Sequence, residues 1–304
     1  MTISEAFTYF IREKYSEGLS KETITFYNYN IPRFVEWCYD YYDIEDVSEL
    51  NTRLFEDYKI HLLSNRSSKK KTSLQTYSRA VKTFLNWVNR KGLLDEEIGK
   101  LNLIKAETPN IVPLSDTEIR ILLDCFDNTF LGIRNKLICL MMVDSGLRRG
   151  EVVKLKTDNI NLTNNTMLVN GKGEKERIVP FGAETKKHLI NYLDFPQKTN
   201  ESFFRTVNGD PITDNTIKMF FQDLKKDSGI HRIYPHLLRH TFATNYILYG
   251  GDLEELRILL GHSSIVMTQK YVHLAAQQRI LNQRYHSHID KLICQFENVK
   301  LNVS

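Results

Sequence analysis

Cysteine is scarce in this chain. Four residues in 304, Cys38, Cys125, Cys139 and Cys294, stand far apart with no CxxC pair. That spacing supports neither a disulfide framework nor a zinc site. Three of them fall in apolar helical patterns, as buried thiols do, so a reducing, cytoplasmic setting is expected. Long hydrophobic runs are also missing: nothing approaches the ~18 uninterrupted apolar residues of a membrane span. The opening MTISEAFTYFIREKY lacks the basic-then-apolar order of a secretory signal. No membrane partner is expected. Glycine-rich phosphate loops, low-complexity tracts and internal repeats are absent too, so ATP is not implied.

Charge of one sign is nearly balanced by the other, 41 Lys and Arg against 37 Asp and Glu. The net +4 is weak support for a nucleic-acid partner; local arrangement carries more. Residues 36–57 hold eight acids, which mask basic clusters elsewhere. One cluster is RSSKKK at 66–71, leading into SLQTYSRAVKTFLNWVNR. There Tyr77, Val81, Phe84, Leu85 and Val88 make an apolar helical face, with Arg79, Lys82, Asn86 and Arg90 on another. Lys69, Lys70, Lys71, Arg79 and Lys82 are therefore candidate phosphate contacts, against the plainer reading of a solvated surface.

The spacing predicts a mainly α chain with a small β-hairpin or sheet, an α+β fold in two domains. Residues 1–107 read as all-helical. One helix ends near Gly18 and another starts after Ser20, with Pro32 expected to kink or split it. A further helix over 73–90 stops at Gly92. IKAETPNIVP then carries two prolines and no helical period, which marks a linker and opens a second domain over 108–304. Ser115 and Glu118 form a capping box there, with Leu114 and Ile119 placed as a hydrophobic staple. TMLVNGKGEKERIVPF has the apolar flanks and central glycines of a hairpin. Near the C-terminus, Leu281, Tyr285, Ile289, Leu292, Ile293 and Phe296 fall at helical spacing, as an amphipathic tail helix would.

Four short stretches carry candidate chemistry. DSGLRRGEVVKL places Arg148 just beyond the Gly146 turn, with Arg149 and Glu151 close by. VNGKGEKERIVP sets Lys172 at a hairpin tip, where a solvated turn is an equal reading. PHLLRHTFATNYILYGG opens with Pro235 at a helix start and closes on a glycine pair. His236, Arg239 and His240 share one face of that helix. A His-x-x-x-His pair can ligate zinc, but Leu237 stands where a metalloprotease needs glutamate, and no acidic third ligand is suggested. LLGHSSIVMTQKYVH holds His262, Tyr271 and His273. Tyr271 alone would read as a buried aromatic.

Together and in this order, SGLRRGE, GKGEKERIVP, HLLRHTFAT and LLGHSSIVMTQKYVH resemble the tyrosine recombinase family of phage integrases and Xer proteins. Gly150, where many relatives carry serine or alanine, is a minor departure. The resemblance implies a two-domain clamp on duplex DNA: a helical, SAM-like core-binding domain followed by a catalytic domain. It implies catalytic roles for Arg148, Lys172, His236, Arg239 and His262, with Tyr271 as nucleophile. Glu151 and His240 are supporting residues, His273 belongs to the motif's surroundings, and neither a metal nor another cofactor is expected.

The chemistry asks for these residue types. Guanidiniums hold the non-bridging oxygens of a phosphodiester bidentately. A tyrosyl phosphate leaves readily, so the strand can be resealed without energy input. His236 is the candidate base, Lys172 the acid for the departing 5′-oxygen, and His262 a hydrogen-bond donor to the transition state. The expected activity is site-specific recombination through a 3′-phosphotyrosyl intermediate and a Holliday junction. The expected partner is double-stranded DNA with an inverted-repeat site, gripped by a homo-tetramer on two paired sites. A paralogous recombinase or an accessory DNA-bending protein are further candidate partners. The alternatives are a type IB topoisomerase-like enzyme and a non-catalytic DNA-binding regulator of the same fold. A regulator would be expected to have lost one of Arg148, Lys172, Arg239 or Tyr271, and all are present.

Overall fold

The structure is a computed structural model and describes residues 1–65, 70–107, 111–171, 176–195 and 202–281. The chain divides into two compact units, Met1–Asn110 and Ile111–Ser304. Among the described residues the architecture is mainly helical with one small sheet.

The first unit holds helices α1 (Ile3–Ser16), α2 (Lys21–Tyr42), α3 (Thr52–Ser64) and α4 (Lys71–Arg90). A reciprocal cap starts α1: the Glu5 amide donates to Thr2 Oγ1 at 3.1 Å, and the Thr2 amide donates to Glu5 Oε2 at 2.8 Å. Ser20 caps α2, which ends on Asp43 in the left-handed region at φ 54°. Pro32 lies inside α2 and does not split it. Proline lacks the amide that would bond the Asn28 carbonyl, but Asn28 is exposed, so water can replace that donor. α3, capped by Asn51, begins at the end of the acid-rich stretch 36–57, whose first residues lie in α2. On α4, Leu74, Ser78, Val81, Phe84, Leu85 and Val88 are buried in one stripe. Phe10 meets the rings of Tyr27, Phe84 and Trp87 edge-on at 5.1–5.6 Å. Fully burying such a side chain stabilises by about 1.5–3 kcal/mol.

The second unit runs α5 (Asp116–Asp124), α6 (Phe130–Asp144), α7 (Arg149–Val153), β1 (Ile160–Asn161), β2 (Thr166–Asn170), β3 (Glu176–Pro180), α8 (Ala183–Leu193), α9 (Asp214–Asp227), α10 (Pro235–Leu248), α11 (Leu253–Leu260) and α12 (Val266–Leu281). The Ser115–Glu118 capping box starts α5. Every residue from Leu137 to Met142 on α6 is buried, because α6 is the central helix, packed against both α8 and α10. Antiparallel pairing gives the order β1-β2-β3. In the β2–β3 ladder Met167 faces Val179 and Val169 faces Arg177. Directly paired residues share a face, so Arg177 lies on the same inward face as buried Met167, Val169 and Val179. The hairpin tip with Lys172, and the tail stripe beyond Leu281, lie outside the described residues.

Candidate active site

The site is assembled at two chain reversals, on strand β3 and on helices α7, α10 and α12. Gly146, at φ +67°, ends the apolar run of α6. A Cβ there would fall 2.4 Å from the Phe242 ring, so this reversal needs glycine twice over. Arg148 follows as the N-cap of α7 and turns onto its own helix. Its amide donates to Glu151 Oε2 at 2.7 Å, and its guanidinium donates to Oε1 at 2.8 Å. The adjacent Arg149 points elsewhere and pairs with Asp214 at 2.7 Å. Position beyond a turn does not separate these two arginines; in the sequence only the family motif does.

The inward position of Arg177 on β3 brings a charged side chain into the interior, where it needs a partner. It finds the same glutamate. Arg177 donates to Glu151 Oε1 at 2.8 Å and to Oε2 at 2.9 Å, and its Nε donates to the Leu259 carbonyl at 2.7 Å. Arg239 on α10 stands 3.7 Å from Glu151 and donates to the carbonyls of Gly146 and Leu260. Three guanidiniums thus share one carboxylate. Burial alone would raise the Glu151 pKa, but the hydrogen bonds and charge of Arg177, the Arg148 amide and Arg239 hold it at about 2. Arg239 is drawn down to about 9 by burial, helped by the charge of Arg148, and remains charged near neutrality. The surplus of positive charge suits an anion, and Arg148, with 30% of its side chain exposed, can reach one.

α11 ends at Gly261 in the left-handed region, φ +61°. Its last carbonyls are the orphans every helix leaves. Leu259 and Leu260 give theirs to Arg177 and Arg239, and the Gly261 carbonyl meets Arg148 at 3.5 Å. His262 follows directly, buried, with Nδ1 2.9 Å from Thr268 Oγ1.

α12 carries Tyr271, which is 1% exposed and packs with Ala243, Ile247, Leu256, Leu260 and Ala275. Its hydroxyl lies 2.8 Å from His240 Nδ1, and its ring runs nearly parallel to that of His262, 6.4 Å away at 13°. The Lys270 ammonium stands 4.9 Å from the Tyr271 ring centre. Burial pushes the Tyr271 phenol up to about 12, although Arg239 and Arg148 pull the other way. Burial and neighbouring cations lower His240 and His262 to about 4, so both rings are neutral at pH 7. His236, on the first turn of α10, is lowered by burial and by Arg239, Arg149 and Arg148, and makes no hydrogen bond to a described residue.

Arg148, Glu151, Arg239, His240, His262 and Tyr271 therefore meet in one site. His240, a supporting residue in the sequence analysis, is the histidine on the tyrosine hydroxyl; His236, the candidate base, is not. Arg177 and Thr268 belong to the site as well, and no motif in the sequence marks either as functional. Arg177 lies within GKGEKERIVP, where alternation along the strand would point to it but for the apolar Ile178 beside it. Among the described residues no three His, Cys, Asp or Glu side chains gather as metal ligands would. Of the candidate phosphate contacts, Lys70, Lys71 and Arg79 are exposed, and Lys69 lies outside the described residues. Lys82 is already engaged: its ammonium donates to the Leu101 carbonyl at 2.6 Å, tying α4 to the segment that follows it.

The Phage integrase family profile matches residues 113–278. The tyrosine recombinase XerC of Bacillus pumilus (strain SAFR-032) is 31% identical over 291 residues, covering 90% of this chain and 92% of its own. The tyrosine recombinase XerD of Ralstonia nicotianae is 30% identical over 288 residues, covering 89% and 90%. The crystal structure of XerA recombinase superposes with a TM-score of 0.52 at 28% identity, covering 93% of this chain and all of the other. The Tn1549 transposon integrase, at 16% identity, shares the fold with a TM-score of 0.73 over 98% of this chain and 99% of its own. With the profile spanning most of the second unit and relatives about one-third identical along nearly the whole length, this chain belongs to the phage integrase family of tyrosine recombinases.

Proposed function

We propose that the protein cuts and rejoins double-stranded DNA at a specific inverted-repeat site, with Tyr271 as the attacking group. The observation that carries this reading is the placement of the Tyr271 hydroxyl, 2.8 Å from a neutral histidine in the site that Arg148 and Arg239 make positive. Attack by Tyr271 Oη forms an Oη–P bond and breaks the bond from phosphorus to the 5′-oxygen, leaving a 3′-phosphotyrosine. The phenolic proton passes to His240 Nδ1, the acceptor at hydrogen-bond distance. His236, with no bond of its own to a described residue, is left to meet the substrate. Arg148 and Arg239 hold the charge that builds on the non-bridging oxygens. Lys172 supplies the proton to the departing 5′-oxygen, the role its family motif implies.

His262 is neutral, so it can donate from Nε2 only if Nδ1 is unprotonated. Thr268 Oγ1 then donates to Nδ1 and selects the tautomer that points Nε2–H at the phosphate. Reversal by a new 5′-hydroxyl reseals the strand. In this reading both units contact DNA, and four copies on two paired sites exchange strands through a Holliday junction. XerH recombinase and a lambda integrase fragment have been crystallised bound to DNA sites, and the Tn1549 integrase has been solved in complex with DNA.

The test is a nicked duplex whose cleaved fragment diffuses away. Wild-type protein should accumulate a denaturant-resistant DNA adduct, and strand exchange should join two labelled sites. Relaxation of supercoils without any exchange would favour a topoisomerase-like enzyme instead.

A further inference from the structure

The geometry points to Arg177 as a positioning residue for strand cleavage: it locks Glu151 so that Glu151 can anchor Arg148. The inference rests on the reading of Arg148 as a holder of the scissile phosphate.

A carboxylate has about four lone-pair directions to satisfy. All four of Glu151 are taken in pairs. Oε1 accepts from the guanidiniums of Arg148 and Arg177, each at 2.8 Å. Oε2 accepts from the Arg148 amide at 2.7 Å and from Arg177 at 2.9 Å. Arg148 holds one edge of the carboxylate and Arg177 the other. Arg239 waits at 3.7 Å, beyond hydrogen-bond reach. Remove Arg177, and half of those sites fall empty in a buried pocket. The carboxylate is then free to turn toward Arg239, the nearest unsaturated cation, and to release the Arg148 guanidinium.

The rest of the Arg177 side chain explains why it does not simply follow Glu151. Its Nε is fixed on the Leu259 carbonyl at 2.7 Å, at the negative end of α11. Its guanidinium packs over Gly261, where an added Cβ would come within 3.2 Å. One planar fork therefore ties β3 to the loop that carries His262 and to the turn that carries Arg148. A lysine offers one point of charge in place of that fork. None of this brings Arg177 to the substrate, since its two carboxylate-facing nitrogens are both spent on Glu151.

The experiment uses the full-length protein and compares Arg177→Gln, Arg177→Lys and Arg148→Ala. Half-site binding, the melting midpoint and the single-turnover rate of adduct formation are measured on two strands. One strand is natural; the other replaces a non-bridging oxygen of the scissile phosphate with methyl, which removes the charge Arg148 is needed to hold. Arg177→Gln should bind half-sites normally and lose about 10–100-fold in cleavage of the natural strand, as outer contacts to reacting groups commonly cost. On the methyl-substituted strand that loss should shrink, in parallel with Arg148→Ala. Arg177→Lys should recover only part of the rate. If Arg177→Gln is too unstable to assay, Arg177→Lys carries the same comparison, because it keeps the charge and loses the fork. Unchanged cleavage, or an equal loss on both strands, would overturn the inference and leave Arg177 a purely structural tie. If Arg148→Ala itself gains nothing on the methyl strand, the reading of Arg148 fails instead.

Discussion

Tyr271 and His240 are hydrogen-bonded at 2.8 Å across the α10–α12 packing, with the phenol almost wholly buried. The plain reading of Tyr271 as a core aromatic and its reading as a nucleophile describe the same atom set. The ring fills a core with Leu256, Leu260 and Ala275, and its oxygen bonds His240. A phenol pushed up to about 12 does not ionise by itself at neutral pH. It needs an acceptor in contact.

Tyr271→Phe keeps that packing and loses one oxygen. Half-site binding should be nearly unchanged, and the covalent adduct on a nicked substrate should vanish from denaturing gels. A persistent adduct in this variant would sink the assignment. For the wild-type protein, cleavage should continue in excess EDTA.

His240→Asn should slow adduct formation by about 10²-fold or more, the scale on which a positioned base contributes. Binding should hold. If only His236→Asn shows this loss and His240→Asn is silent, the proton goes to His236, and the contact with His240 is a packing bond.

Thr268→Val removes the hydroxyl that selects the His262 tautomer while keeping a similar shape. Cleavage should fall by roughly 10-fold, about the worth of one buried hydrogen bond, and Thr268→Ser should keep most of the activity. Single-turnover rates of the two variants decide this.

Lys172→Ala should slow cleavage of a natural strand by about 10²–10⁴-fold, since an alkoxide leaves poorly without a proton. A strand with sulfur in place of the bridging 5′-oxygen releases a thiolate, which needs none. On it the variant should approach the wild-type rate, whereas Arg148→Ala should gain no such relief. Equal losses on both strands would make Lys172 a backbone contact.

Stability should fall with acid in two windows. His240 and His262 sit near 4 in the folded protein against an ordinary 6.5. Their neutral forms fit the fold, so their contribution is complete above pH 6.5 and is lost as pH drops toward 4. Glu151, at about 2 against 4.5, adds stability that is present above pH 4.5 and disappears as pH falls toward 2. Melting midpoints against pH should show both limbs. His240→Asn should flatten the upper one and leave the lower one in place.

Much of this molecule could be read from its residues in order. The Ser115–Glu118 cap acts over one turn, so local sequence contains both partners. Helical spacing put His236, Arg239 and His240 on one face, and the reversal at Gly146 was visible as a glycine closing an apolar helix. The order of the four motifs was enough to identify the family.

What the tertiary structure decided was which of those residues touch. His240 and Tyr271 are 31 positions apart, and Glu151 and Arg177 are 26 apart. Periodicity names the face of a helix or strand and says nothing of what is packed against that face. Sequence could not tell that Lys82 would be drawn to the Leu101 carbonyl, or that Arg148 would turn inward and Arg149 outward to Asp214. Those outcomes depend on burial, which is a property of the packed whole: a buried charge takes whichever partner the neighbouring element presents. The sequence supplied the ionisable groups, and packing paired three arginines with one glutamate.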